Sequence, residues 1–177
     1  MSSSESGAGR GPVGERWDAY RDAIVRIELP GGVVEVGAVP EEAAPRALSE
    51  STGGAYPAGI GDRLHIITAV DSDSTDPRVD DARNAMLRVD LEAIGVRWYP
   101  AIGADRAWCH REASFAVVGL SRHRAIALGA KHCQDAIFEW SPDHWALIDC
   151  RTGEVTSMRW VSRPVDALDG AGPSGGR

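Results

Sequence analysis

The apolar run Leu64–Val70 is the feature that most constrains the fold of this chain. Five of its seven residues are apolar, which is typical of a strand at the centre of a sheet. A strand of this kind needs other elements packed against it, because its side chains are apolar on both faces. The run therefore predicts a sheet with this strand near its middle.

A helix is predicted directly after this strand. Asp76 before Pro77 provides an N-cap followed by proline at the first helical position, and Gly95 ends the helix. Between these ends, apolar residues recur at helical spacing. They are Val79, Ala82, Met86, Val89 and Ala93.

The segments that follow predict strand, strand, helix and strand. From Leu64 the complete order is strand, helix, strand, strand, helix, strand, which is the order of the split βαβ or ferredoxin-like sandwich. Apolar segments at 23–36 and 145–160 predict hairpins before and after this core. We therefore predict an α+β fold: a ferredoxin-like split βαβ core with a largely antiparallel sheet, two main helices and extra N- and C-terminal hairpins.

The chain is predicted to form a single domain over residues 15–165, with its core at 64–140. Residues 1–14 and 166–177 are rich in Gly and Ser and poor in large apolar groups, which predicts disordered tails. The Gly- and Pro-rich stretch 39–61 predicts a long loop with one helical turn.

Charge and cysteine content exclude several classes of function. The formal net charge is −7, so binding to a nucleic-acid backbone, which draws on clustered cations, is not predicted. No segment has the length of apolar sequence needed to cross a membrane. Three cysteines without CxxC spacing fit a reducing compartment. We therefore expect a soluble cytoplasmic protein, and the Arg-rich, Lys-poor composition suggests a bacterial source.

No metal site and no cofactor is predicted. The acidic loop Asp71–Asp76 lacks the glycine and the glutamate that an EF-hand requires, and Asp76 serves better as a helix cap. Cys109-His110 and His132-Cys133 do not have the ligand spacing of zinc fingers. Cys109 and His110 are also adjacent on an extended segment, so their side chains point apart and a cysteine hydrolase is disfavoured.

Polar residues that interrupt the apolar elements are the candidates for a functional site. Glu112 and Ser114 are two residues apart, so they project from one face if the strand predicted at 114–118 begins early, next to the strand that carries Thr68. Asn84 and Gln134 lie at helix positions. Trp108, beside a loop, is a candidate for stacking on a ligand. These side chains either line a ligand site or satisfy backbone groups at strand ends, and the sequence leaves both alternatives open.

Several of these residues form a pattern that resembles a known family. The pattern consists of His65-Ile-Ile-Thr-Ala, Asn84 and Leu87, Trp108-x-x-x-Glu112-x-Ser114-Phe115, and Gln134-Asp-Ala-Ile-Phe138. It resembles the uncharacterised bacterial family catalogued as domain of unknown function 3293. The resemblance spans about Leu64–Trp140 and implies no established activity.

The sequence predicts a binding domain for a polar or anionic small molecule, held at strand and helix ends by Thr68, Asn84, Trp108, Ser114 and Gln134. The anionic option rests on the positive charge of the second predicted helix, roughly 122–132, which has Ser121 as its N-cap. Whether the protein is an enzyme is left open; in a metal-independent hydrolase, Glu112 would be the general base. The alternative is a non-catalytic module that binds a protein partner.

Overall fold

The computed structural model describes residues 13–39, 54–70 and 76–165. Within these ranges the chain forms three helices and nine strands. In chain order these are α1 (Val13–Asp22), β1 (Ile24–Leu29), β2 (Gly32–Ala38), β3 (Leu64–Thr68), α2 (Pro77–Ile94), β4 (Trp98–Ala104), β5 (Arg111–Val118), α3 (Arg122–Lys131), β6 (Ala136–Trp140), β7 (Trp145–Asp149), β8 (Val155–Met158) and β9 (Trp160–Val165).

All nine strands belong to one antiparallel sheet with the order β8-β7-β6-β3-β5-β4-β1-β2-β9. Strands β8 and β9 lie at opposite ends of this order, yet only Arg159 separates them in the sequence. The two ends of the sheet must therefore be neighbours in space. The sheet accordingly curls into a nearly closed, barrel-like shape, and the Val39 amide donates to the Arg159 carbonyl at the junction over 2.9 Å.

The predicted fold class, a ferredoxin-like sandwich with two main helices, is wrong. The predicted element order after Leu64 is present, and the connections through α2 and α3 each pass over one strand. These four strands do not form a separate open layer, because β1, β2 and β9 continue the sheet on one side and β7 and β8 on the other. The cause is the pairing of β9 with β2, a long-range contact that no local pattern encodes.

The predicted ends of the two main helices are confirmed by their capping groups. The Asp76 carboxylate accepts a hydrogen bond from the Arg78 amide at 2.9 Å, and Gly95 ends α2 in the left-handed region with φ 73°. At α3, the Ser121 hydroxyl accepts from the Arg124 amide at 3.4 Å. Local sequence chemistry therefore determines where both helices begin and where α2 ends.

Two apolar cores lie on the two faces of the curled sheet. The interior core fills the inside of the curl, and its largest fully buried side chains are Trp140 and Trp145. The outer core lies between the sheet and the helices α2 and α3, around Ile67, Leu87 and Leu128. Alternation along the strands separates the cores: on β3, Leu64 and Ile66 belong to the interior core and Ile67 to the outer one.

Helix α2 packs through a different face from its apolar repeat. Asn84, Leu87 and Leu91 are its buried residues. Val79, Met86 and Val89 are instead exposed, by 42%, 65% and 58%. The periodicity identified the helix correctly, but it does not mark the side that contacts the sheet.

A fully buried carboxylate, Glu139, ties β6 to its neighbours. It contacts His65 at 2.9 Å and His144 at 2.9 Å, and Arg122 donates to both of its oxygens, at 2.7 and 3.1 Å. Burial acts to raise the pKa of Glu139, but the hydrogen bonds from Arg122 and His144 outweigh it and hold the pKa at about 2. Burial also lowers the pKa of His65, despite its contact with Glu139.

Some of the predictions concern residues outside the described ranges. The predicted helical turn near 42–48, the C-terminal tail 166–177 and residues 1–12 of the N-terminal tail all lie there. The last predicted segment, 155–160, is divided between β8 and β9. Among the described residues, no helix combines the length and apolar character needed to cross a membrane.

The two faces of α2 predict opposite responses to substitution at adjacent positions. Leu87→Ala should destabilise the fold by about 2–5 kcal/mol, because it leaves a cavity at a fully buried site. Met86→Ala, at a site 65% exposed, should change stability by less than about 0.5 kcal/mol. Urea unfolding of both variants tests the orientation, and equal losses would contradict it.

Replacing Glu139 should expose how much the fold depends on this carboxylate. Glu139→Gln should cost about 3 kcal/mol at neutral pH, because Arg122 loses its charged partner. Since the folded pKa of Glu139 is about 2 against an ordinary 4.5, the wild-type advantage should be complete above pH 4.5 and vanish as the pH falls towards 2. Denaturant unfolding at several pH values measures this, with the exposed Glu28→Gln as the control; a loss independent of pH would refute the assignment.

Candidate functional site

A cavity of about 390 Å³ opens at one end of the curled sheet. Strand β1 begins here, β3 and β4 end here, and β5 and β6 begin here, so five strands supply its walls. Helix α1 contributes Arg16, Ala19 and Tyr20 to the lining from the segment before β1. The cavity is therefore the mouth of the barrel-like sheet, and we refer to it as the mouth cavity.

The inner walls of the mouth cavity are apolar. Val25, Ile66 and Phe138 come from β1, β3 and β6, and Ala104 and Ala136 add small side chains. Val25 and Ile66 are also members of the interior core, so the cavity continues the inside of the curl towards solvent. Strand residues alternate between the two faces of the sheet. Ile66 and Phe138 therefore point inward, while the adjacent Ile67 and Ile137 face the helices.

Glu112 places a carboxyl group in this apolar setting. It is partly buried and lines the mouth cavity from the beginning of β5. Within residues 13–39, 54–70 and 76–165, no donor bonds to its carboxylate. Burial raises the pKa of Glu112, the negative charge of Asp80 raises it further, and His110 opposes the rise. The carboxyl is thus easier to protonate than an ordinary glutamate.

The other charged residues of the cavity are already paired. Arg16 contacts Asp135 at 2.7 Å, and His110 contacts Asp105 at 3.1 Å. The hydrogen bond from His110 lowers the pKa of Asp105, and the Cys109 amide adds to that effect. Each of these residues thus has a partner of its own, which leaves Glu112 as the ionisable group of the described lining without a hydrogen-bond donor.

Thr68, Ser114 and Gln134 also line the mouth cavity, together with Glu112. The Thr68 hydroxyl donates to the Ala113 carbonyl at 2.9 Å, and the Gln134 amide donates to the Val70 carbonyl at 2.9 Å. The Ser114 hydroxyl donates to the Glu112 backbone carbonyl at 3.2 Å. The bonds of Thr68 and Gln134 join separate segments, and that of Ser114 lies within β5. All three side chains thus bond to backbone carbonyls, whereas the Glu112 carboxylate receives no hydrogen bond from the described residues.

Two predicted site residues lie elsewhere. Asn84 accepts a hydrogen bond from the Ala69 amide at 3.2 Å and borders a separate groove near the start of α2. Trp108 lies in the β4–β5 connection, where the Arg26 guanidinium stacks 3.8 Å from its ring centre. Neither residue lines the mouth cavity.

Several lining residues were not identified from the sequence. Arg16, Tyr20 and Asp105 were not candidates, because α1 and the β4–β5 loop reach the cavity only through the tertiary fold. Glu139, which lies on the helix side of the sheet and does not line the cavity, was also not identified, since a single glutamate in an apolar strand has no flanking motif. Its isolated charge between Phe138 and Trp140 was the available signal, because buried glutamate requires partners.

The described residues contain no group of three or more His, Cys, Asp or Glu arranged to hold a metal ion. His132, which the sequence places beside Cys133, contacts Asp90 at 2.7 Å. Cys109 and Cys133 are exposed and unpaired, and Cys150 is buried. Burial raises the pKa of Cys150 to about 12, so this thiol is not an ionised nucleophile at neutral pH.

The raised pKa of Glu112 predicts an unusual effect of its neutral isostere. A carboxyl whose folded pKa exceeds its unfolded value destabilises the fold when ionised, and this penalty disappears as the pH falls below both values. Glu112→Gln should therefore raise the melting temperature at pH 7–8 and show no such gain at acid pH below the ordinary value of 4.5. Thermal unfolding across pH checks this, and a loss of stability at neutral pH would contradict it.

Comparison with known proteins identifies the segment that builds much of this site. No curated protein and no solved structure matches the chain. Residues 67–137 match the family described as "Protein of unknown function (DUF3293)". The match extends from the end of β3 into β6 and includes Thr68, Glu112, Ser114 and Gln134. The predicted resemblance to this family is thereby confirmed over residues 67–137.

Proposed function

We propose that this protein binds a small molecule in the mouth cavity, with an apolar part of the ligand inside and a hydrogen-bond donor on Glu112. The observation that carries the proposal is the Glu112 carboxyl, which lines an apolar cavity and receives no hydrogen bond within the described ranges. Partly buried carboxylates are costly without partners, so a ligand that donates to Glu112 would recover free energy that the free protein lacks.

The size and walls of the cavity suit such a ligand. A volume of about 390 Å³ falls within the range of small-molecule pockets, roughly 300–1,000 Å³. Val25, Ile66 and Phe138 offer apolar contact to a ring or a short aliphatic body. The polar groups are few and lie near the rim, a distribution that fixes the orientation of a ligand in other binding sites.

The charges favour a neutral or cationic donor over an anionic ligand. Glu112 repels anions, and the positive charge of Arg16 is directed to Asp135. The basic residues that suggested an anionic ligand are used elsewhere: Arg122 bonds to Glu139 and Lys131 to Asp90. An amine, an amidine or an amide N–H is therefore the group that best matches Glu112.

The same carboxyl could act as a general base. Its raised pKa brings it nearer to neutrality than an ordinary glutamate, which favours proton transfer to and from a bound molecule. Metal-independent hydrolysis with Glu112 as base is the catalytic form of this proposal. Retained binding of a substrate by Glu112→Gln with loss of turnover would distinguish this form from binding alone.

A cytoplasmic location in a bacterium stays a prediction. It is supported by the three cysteines, none of which forms a disulfide. Exposed Cys109 and Cys133 suit a reducing compartment in particular, because free surface thiols oxidise readily outside one.

Three probes of matched shape and different charge test the binding proposal. Benzamidine, benzamide and benzoate each combine one ring with one polar group, and the first two can donate to Glu112. We expect benzamidine and benzamide to bind the wild-type protein more tightly than benzoate, measured by titration calorimetry at neutral pH. Glu112→Gln should reduce the preference for benzamidine over benzoate by about tenfold, because one charged hydrogen bond is lost.

Glu28→Gln provides the matched control, since Glu28 is exposed near the other end of β1 and does not line the cavity. This variant should keep the wild-type preference. Tighter binding of benzoate, equal preference in wild type and Glu112→Gln, or no binding of any probe would each refute the proposal.

A further inference from the structure

Helix α2 presents an apolar stripe to solvent, formed by Val79, Ala82, Met86, Val89 and Ala93. Val79, Met86 and Val89 are 42%, 65% and 58% exposed, and the two alanines are exposed as well. Within the described ranges nothing covers this stripe. The opposite side of the helix, with Leu87 and Leu91 fully buried, already packs on the sheet. The stripe is therefore not needed to hold α2 in place.

The spacing of the stripe is that of a helix-to-helix seam. Its members follow one another at intervals of three, four, three and four residues, the alternation of a and d positions in a coiled coil. The run extends along about 21 Å of helix axis, at 1.5 Å for each residue. Ala82 and Ala93 are small, so a second helix can approach closely at these points.

Charged residues beside the stripe are arranged for a helix that runs in the opposite direction. Arg78 lies near the start of the stripe and Glu92 near its end, on the same flank of the helix. An antiparallel copy of α2 centred near Met86 brings Arg78 of one chain beside Glu92 of the other, and two-fold symmetry repeats the contact. Among the described residues, the ion-pair partner of Glu92 is exposed Arg88 in the same helix, at 3.7 Å. Such an exposed pair is weak and can rearrange.

We propose that a second copy of this chain covers the apolar stripe, with the two α2 helices antiparallel. The contact is isologous: each chain offers the same apolar seam and the same pair of opposite charges. One helix face on each side is smaller than a standard interface, so the dimer is weak and forms as concentration rises. This proposal is independent of the mouth cavity, which lies beyond the other face of α2.

Sedimentation equilibrium of the full chain tests the association. We expect a monomer–dimer equilibrium with a dissociation constant of about 1 µM to 1 mM, as for small interfaces. Met86→Glu should weaken it at least about tenfold, because it places a charge at the centre of the seam. Ala127→Glu, which adds the same charge to an exposed position of α3, should leave it unchanged.

Charge reversal then tests the direction of the helices. Arg78→Glu and Glu92→Arg should each weaken the dimer about threefold or more, since each sets like charges together. The double variant R78E/E92R should restore wild-type association, because antiparallel packing pairs the exchanged charges again. Circular dichroism confirms that every variant is folded.

A chain that stays monomeric over the whole concentration range overturns the proposal. Association that Met86→Glu does not weaken overturns it as well, since the contact then lies elsewhere. Failure of the double variant to restore a dimer that both single variants weaken overturns the antiparallel arrangement.

Discussion

The structure depends on the junction at Arg159, where the two ends of the sheet order meet. Strand β8 pairs with β7 and strand β9 pairs with β2, although one residue separates β8 from β9. This arrangement forces the sheet to curl and gives it an inside. The Trp160 ring contacts Trp140 with centroids 5.4 Å apart, and its indole N–H donates to the Pro142 carbonyl at 3.2 Å. An open sheet would have neither an interior core nor a mouth cavity.

Two glutamates on opposite faces of the curled sheet have pKa values that are shifted in opposite directions. Glu139 lies on the helix side and receives donors from Arg122, His65 and His144, so its pKa is held at about 2. Glu112 lies on the inner side, receives no donor within the described ranges, and has a raised pKa because burial disfavours its charge. The contrast separates a carboxylate held by donors of the fold from one with a raised pKa in a cavity, and perturbed pKa values cluster at functional sites.

The candidate site was predictable where residues share a strand face. Glu112 and Ser114 are two apart on β5, and the registry of β3 with β5 sets Thr68 beside Ser114, so these three meet as expected. Asn84 does not join them, because α2 covers the helix side of the sheet and the mouth cavity lies on the other side. The sequence gives the position of a residue along a helix, but it does not show on which face of the sheet that helix packs. Trp108 does not line the cavity either, because the β4–β5 loop turns its ring towards Arg26.

The sequence by itself determined the local structure: the helix boundaries at Asp76, Gly95 and Ser121, and the order of helices and strands along the chain after Leu64. These follow from capping groups, backbone torsions and residue spacing, which act over a few neighbouring residues. The sequence also carried enough of the DUF3293 pattern to predict the match over residues 67–137. Only the tertiary structure decided that the sheet closes, that α2 turns its apolar stripe outward, and that Glu112 lines a cavity with no donor among the described residues. Each of these depends on contacts between distant segments, which local periodicity cannot specify.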